Sequence, residues 1–311
     1  MNIILAKPRG FCAGVTRAIE TVEKALKKFG PPVYVRHEIV HNKFVVESLK
    51  KKGAIFIDEI EDVPEGAITI FSAHGVSDKV EEDAKNAGLE VIDATCPLVS
   101  KVHRKAKKYE DEDYEIILIG HKGHPEVEGT SGRVKKDVIL VTNEDDARNV
   151  EIKNHNKLSY VTQTTLSVDD TKKIVDILEE RFPSLERGLA TKDICYATQN
   201  RQDAVRSLCK MVDLLLVLGS ENSSNSNRLR DLGEECGIES YLVSGAGDVK
   251  EELLLNADRI GITAGASAPE VLVQDVIERI KKISGSEVKV SDMEGGVEED
   301  TFFVLPRKVR K

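Results

Sequence analysis

No stretch of this 311-residue sequence approaches the roughly 18 consecutive apolar residues of a membrane-spanning helix, so that class is excluded. Tryptophan is absent, and with 40% apolar and 32% charged residues the composition is that of a soluble globular protein. There is no complete GxGxxG or Walker A loop, which argues against a nucleotide-dependent activity. The five cysteines include no CxxC pair, so a thioredoxin-like motif is unsupported. Excess positive charge is missing as well. The formal net charge is −9, whereas nucleic-acid affinity depends on Lys and Arg neutralising phosphates. The opening MNIILAKPRG runs straight into an expected strand and loop, with no pattern of a secretory or transit signal. Irregular cysteine spacing in that setting points to a reducing cytoplasm rather than to disulfides. Neither a nucleic-acid nor a membrane partner is expected. A small anion remains possible, because backbone amides and histidines can bind one locally.

What the chain does have is three cysteines, Cys12, Cys96 and Cys195, each where an apolar strand-like run hands over to a helix. Three thiolates meeting at one point can hold an iron–sulfur cluster or a metal ion while leaving one coordination position open for substrate. Zinc is also compatible with this ligand type. Helix N-termini suit thiolates through their unpaired N–H groups, and Pro97 after Cys96 fits a first helical turn. Cys209 in an apolar helical stripe and Cys236 beside Gly237 read as ordinary small hydrophobes.

Length allows two or three compact domains. Strand-like runs such as Ile3 to Ala6, PVYVR, AITIFSA, EVIDA, EIILIG, LSYVT, LLLVLG and RIGIT alternate with helical patterns. Nine strand–loop–helix units result, the pattern of parallel α/β architecture with ligands outside the carboxyl ends of strands. The loops fall into three sets. The first carries Cys12, Cys96 or Cys195; the second carries His41, His124 or Asn225; the third carries His74, Thr164 or Ser267. From cysteine to second loop the spacings are 29, 28 and 30 residues, and to third loop 62, 68 and 72. The weak repeat predicts three α/β lobes about a shared centre: 1–95, 96–192 and 193–283. Residues 284–311 form a tail whose FFVL run is expected to be a strand pairing near the N-terminus.

His41, His74 and His124, with Ser223, Ser224, Asn225 and Ser267, would make a set of donors suited to a phosphate or diphosphate. Taken alone, SENSSNSN reads as a solvated loop, and His37, His103, His121 and His155 read as a strand end, a helix face or exposed turns. Glu126, two residues after His124, is a candidate general acid on a loop, provided that a closed pocket raises its pKa. Glu128 reads as exposed. In TQTTLSVDDT, Thr164 or Thr165 could orient a substrate hydroxyl, while Ser167 and Asp170 resemble a capping box.

The motifs GFCAGVTRAIE, HEIVHNKFVV, AHGVS, DATCPLVSKVH, GHKGHPEVEGT, TQTTLSVDDT, ICYATQNRQ, SENSSNSNRL and GASAPE stand in order from about residue 9 to 275. Together they resemble the 4-hydroxy-3-methylbut-2-enyl diphosphate reductase family. The resemblance implies a trefoil-like monomer of three lobes around a 4Fe–4S cluster, one per subunit, held by Cys12, Cys96 and Cys195 with the fourth iron open. It implies that His41, His74, His124, Ser223, Ser224, Asn225 and Ser267 hold the diphosphate, with Thr164 and Glu126 near the substrate hydroxyl. Thr165 stays a candidate beside Thr164. The implied reaction removes that hydroxyl as water and yields isopentenyl and dimethylallyl diphosphates, with a ferredoxin or flavodoxin as electron donor. Two other classes share parts of the pattern. A quinolinate-synthase-like three-cysteine dehydratase would not need the His/Ser/Asn donors, and a non-catalytic electron carrier would favour a fourth cysteine ligand.

Overall fold

Among the described residues, runs of three to six residues rich in Ile, Val and Leu form twelve strands, joined mostly by amphipathic helices. The computed structural model describes residues 1–186, 192–285 and 287–310. In chain order the strands are β1 (Asn2–Leu5), β2 (Val33–Arg36), β3 (Ala54–Ile57), β4 (Ile68–Phe71), β5 (Glu90–Asp93), β6 (Glu115–Ile119), β7 (Ile139–Val141), β8 (Leu158–Thr162), β9 (Leu214–Leu218), β10 (Glu239–Val243), β11 (Arg259–Ala264) and β12 (Lys289–Asp292). The helices are α1 (Ala13–Phe29), α2 (Lys43–Lys51), α3 (Asp78–Asn86), α4 (Pro97–Asp111), α5 (Pro125–Ser131), α6 (Glu144–Asn149), α7 (Val168–Arg181), α8 (Tyr196–Leu208), α9 (Ser224–Glu235) and α10 (Glu270–Ser284).

The strands make three sheets, ordered β3-β2-β4-β5, β7-β6-β8 and β10-β9-β11-β1-β12. Every strand pair in them is parallel. Three small parallel α/β lobes are therefore present, as the repeat of loops predicts. Each lobe is built alike. Its first strand (β2, β6 or β9) lies between its second (β3, β7 or β10) and its third (β4, β8 or β11). Beyond the third strand comes β5 in one sheet and β1 in another, and in the three-stranded sheet Leu185 bridges in parallel to Leu158 of β8.

Three details differ from the sequence reading. Asn2–Leu5 was expected in the lobe 1–95, but β1 pairs with β11 and β12, Ile3 facing Ile260 and Val290. The tail's strand is Lys289–Asp292 rather than FFVL, for Phe302 is exposed and 302–305 is not strand. All four residues of β12 are exposed at a sheet edge, so no apolar alternation marks them. Lys192–Ile194 ahead of Cys195 is 3₁₀ and bend rather than strand. The short strands β3, β7 and β10 add to the nine units counted from the sequence.

By compactness the chain divides into two units, one of residues 1–15, 41–45 and 196–302, the other of 16–40, 46–195 and 303–311. In the first, the centre of the five-stranded sheet is buried on both faces. Leu214, Leu216, Leu218, Ile260 and Ile262 pack with Leu272, Val273, Val276 and Ile280 of α10 on one side. Leu215 and Val217 face Val205 and Leu208 of α8 and Leu229 and Leu232 of α9 on the other. This two-sided burial is why β9 reads as an unbroken apolar run. The second unit holds the other two sheets with their own cores, centred on Ile117, Tyr160 and Leu178 and on Phe71, Val76 and Ala84. Among the described residues no helix is long and apolar enough to cross a membrane.

Candidate active site

In the second unit, the loops at the carboxyl ends of β4, β6 and β8 carry His74, His124 and Thr164. Pro125 starts α5 and His124 caps it, its Nδ1 accepting from the Glu126 N–H at 3.1 Å. An accepting Nδ1 puts the proton of the neutral ring on Nε2. The His74 ring lies edge-on to that of His124, centroids 5.8 Å apart at 89°. Ser72 Oγ sits 3.3 Å from His74 Nδ1. Gly75 follows at φ +79°, where an added Cβ would stand 2.6 Å from His103 Cε1. Only glycine lets this turn seat against the buried His103 ring. Burial, and secondarily the Arg133 charge, pushes His103 down to about 4. It is a neutral packing residue, which fits its reading as part of a helix face.

Glu126 is helical rather than a loop residue, in the first turn of α5, and it is 2% exposed. Its carboxylate accepts from the Thr164 N–H at 2.7 Å and the Thr164 hydroxyl at 3.0 Å. Burial raises its pKa to about 7; the two bonds from Thr164 oppose the shift and the Asp193 charge adds to it. A carboxyl poised there can hold or release a proton near neutral pH. The Thr165 hydroxyl accepts instead from Gln163 Nε2 at 2.9 Å, so the two threonines have separate partners. Glu128 is exposed and Ser167 caps α7 by accepting from the Asp170 N–H.

In the first unit, SENSSNSN is not a loop throughout. Ser223 caps α9, accepting from the Ser226 N–H, and Ser224 and Asn225 are its first helical residues. Ser226 is fully buried where Gly219 and Gly265 leave room for it; a Cβ on either would lie 2.2 or 2.1 Å from its Oγ. Asn225 is 4% exposed, and neither its amide nitrogen nor its oxygen has a hydrogen-bond partner among the described residues. A buried carboxamide so placed costs stability unless a ligand completes it. Ser267 donates to the His41 carbonyl at 2.9 Å, and Asn222 Nδ2 lies 3.5 Å from His41 Nδ1. The N-terminus of α9, the positive end of its helix dipole, is suited to an anion.

Each of the three cysteines immediately precedes a helix, α1, α4 or α8. All three lie outside any disulfide among the described residues and are half-buried. Their backbone amides share one arrangement. Cys12 donates to Ala266 O at 3.3 Å, Cys96 to Ala73 O at 2.9 Å and Cys195 to Thr164 O at 3.0 Å. The acceptors lie in the loops of Ser267, His74 and Thr164, so each third loop is tied to a cysteine. Soft thiolates at helix N-termini are a fitting donor set for an iron–sulfur group.

A family model described as LytB protein matches residues 3–281. The chain belongs to the LytB family. It is 57% identical to 4-hydroxy-3-methylbut-2-enyl diphosphate reductase 1 of Rhodopseudomonas palustris over 99% of each chain. It is 56% identical to the 4-hydroxy-3-methylbut-2-enyl diphosphate reductase of Saccharophagus degradans over 100% of both. Among solved structures, the E-1-hydroxy-2-methyl-but-2-enyl-4-diphosphate reductase of Plasmodium falciparum superposes with a TM-score of 0.93 at 42% identity, covering 99% of this chain and 96% of that one. An (E)-4-hydroxy-3-methyl-but-2-enyl diphosphate reductase, described as the terminal enzyme of the non-mevalonate pathway, matches with a TM-score of 0.64 at 33% identity over 90% and 99%. LytB membership confirms the family read from the motifs and implies an iron–sulfur cofactor and a diphosphate substrate.

Several LytB residues with structural weight went unmarked in the sequence. Arg201, in the polar run QNRQDAV, is fully buried, donating to Gly10 O and pairing with Glu299. Lys105 pairs with the buried Asp193 at 2.6 Å. Arg201 stands within the motif ICYATQNRQ but is not singled out there, and Lys105 lies outside the quoted motifs. The faint signal was a strongly polar helix face close behind a cysteine.

Proposed function

We propose that the chain is a 4-hydroxy-3-methylbut-2-enyl diphosphate reductase of the non-mevalonate isoprenoid pathway. Cys12, Cys96 and Cys195 would ligate one 4Fe–4S cluster, leaving its fourth iron without a protein ligand. When bound, the cluster supplies electrons and a Lewis-acid iron that weakens a carbon–oxygen bond. Two electrons and two protons convert the allylic alcohol into an alkene plus water. One proton goes to the departing hydroxyl and the other to carbon, giving isopentenyl or dimethylallyl diphosphate. The electrons would come from a ferredoxin or flavodoxin in the cytoplasm.

The remaining residues divide the work by chemistry. His41, His74, His124, Ser223, Ser224, Asn225 and Ser267 offer hydrogen-bond donors to the diphosphate, and the α9 N-terminus adds backbone N–H groups. Glu126 holds the proton destined for the hydroxyl, with His124 setting the first turn that carries it. Thr164 orders that carboxyl, and Thr165 extends the polar wall. One observation carries this reading: Thr164 donates twice to the buried Glu126 while its carbonyl accepts from the Cys195 N–H. A single residue thus links the candidate acid to a candidate cluster ligand.

The test is anaerobic purification with iron and sulfide analysis of Cys12→Ser, Cys96→Ser and Cys195→Ser. Each variant should be depleted of both elements, because a hydroxyl is a poor replacement for thiolate. Cys209→Ser and Cys236→Ser should match the parent. Full iron and sulfide in all three loop variants would overturn the ligand assignment.

A further inference from the structure

We infer that Arg17, Lys105 and Arg201 are positioning residues for the three cysteine loops, each acting on the next cysteine in a cyclic order. The inference rests on the proposed three-cysteine site. These cations lie five, nine and six residues after Cys12, Cys96 and Cys195, on the helices those cysteines precede. None of them reaches back, in its hydrogen bonds, to the loop that opens its own helix.

Arg17 of α1 donates from Nη1 to Thr95 O at 2.9 Å, the residue just before Cys96. Its Nε donates to Val304 O at 2.9 Å, which fixes the guanidinium from the other side. Lys105 of α4 places Nζ 2.6 Å from Asp193, two residues before Cys195, over the rings of Tyr109 and Tyr160. Arg201 of α8 donates from Nη2 to Gly10 O at 2.7 Å and from Nε at 3.2 Å, two residues before Cys12. Its Nη1 donates to Ala197 O at 2.9 Å and to Glu299 at 3.0 Å. The order runs from the Cys12 helix to the Cys96 loop, from the Cys96 helix to the Cys195 loop, and from the Cys195 helix to the Cys12 loop. In each case the cysteine amide is separately tied to a third loop. With both tethers, the approach to each cysteine is fixed from two sides. Metal affinity depends on such outer supports as well as on the ligands.

The order makes a selective prediction. Per-cysteine alkylation by iodoacetamide, read by mass spectrometry, would be measured on the full-length protein after removal of iron and sulfide. Three variants are compared: Arg17→Met, Lys105→Met with Asp193→Asn, and Arg201→Met with Glu299→Gln. The paired changes avoid stranding a buried carboxylate, which by itself could unfold the chain. Alkylation should accelerate chiefly at Cys96 in the first, Cys195 in the second and Cys12 in the third, with buried Cys209 unchanged. Arg17→Lys, which retains a cationic donor, should restore much of the protection at Cys96. After reconstitution, each variant should lose iron to a chelator roughly 10–100-fold faster, the range for removing an outer support. Uniform acceleration at all five cysteines, or none, would overturn the inference. Selective acceleration alongside wild-type iron content in Cys12→Ser, Cys96→Ser and Cys195→Ser would uphold the tethers and sink the three-cysteine cluster instead.

Discussion

Glu126 is a carboxyl that burial pushes toward neutrality while Thr164 pulls it toward the ionised form, and burial prevails. The pKa is raised from the ordinary 4.5 of a glutamate to about 7. The folded chain therefore binds this proton more tightly than the unfolded chain does. The resulting stabilisation is complete below the unfolded value and is lost as pH rises through about 7. Glu126→Gln removes that dependence. The variant should gain on the wild type between pH 5 and pH 8, by on the order of 2–3 kcal/mol, measurable as a pH-dependent difference in Tm. Its turnover should fall about 10²-fold or more, the usual scale for losing a general acid, while iron and sulfide content stays unchanged. Wild-type turnover with an artificial reductant would remove Glu126 from the chemistry. Asn225 presents the complementary case, a buried amide without an internal partner. Asn225→Ala should weaken diphosphate binding by about 1.5–3 kcal/mol in calorimetry, with no loss of Tm. A lowered Tm with unchanged affinity would make the amide structural.

At the scale of elements, the site depends on how loops are seated against helices. Gly75 gives the His74 loop a backbone that other residues rarely adopt, and its missing side chain leaves space for His103. Gly129 of α5 packs against the carbonyl of the same Gly75. Gly75→Ala should cost about 1–3 kcal/mol through strain at positive φ together with overpacking. Thermal denaturation checks this, and the His74–His124 pair should loosen with it. Helix α9 shows a similar economy. Its polar first turn is held by Ser226 in the space left by two glycines, which lets Ser223 and Asn225 be buried without apolar neighbours in sequence.

At the scale of the molecule, the segment paired beyond each lobe's third strand (β5, Leu185 or β1) precedes a cysteine in the chain, and the first strand of the chain serves the lobe made last. The tail then protects that strand, since β12 covers the edge of β1 that would otherwise offer unpaired N–H and C=O groups. Truncation after Gly285 removes β12 and the Glu299 partner of Arg201 together. The truncated chain should aggregate at concentrations where the full chain stays monodisperse in light scattering. Replacing only FFVL by polar residues should be milder, because Phe302 and Val304 are already exposed.

The division between what sequence and structure each decided follows from the range of the forces involved. The alternation of strands and helices, the cysteine before each of three helices, and the family were all legible along the chain, because propensity, capping and motif spacing are local. Strand pairing is not local. Backbone hydrogen bonds carry no side-chain signature, so nothing in NIIL or KVSD announced that they lie side by side. FFVL, with the stronger strand composition, stayed unpaired. Burial is likewise decided by distant segments. The polar run QNRQDAV carries no local sign of burial, yet Gly10 and Glu299 hold Arg201 buried. Glu126 was recognisable as a candidate acid, but only tertiary packing around α5 made it a buried one, and desolvation by that packing raises its proton affinity against the opposing bonds from Thr164.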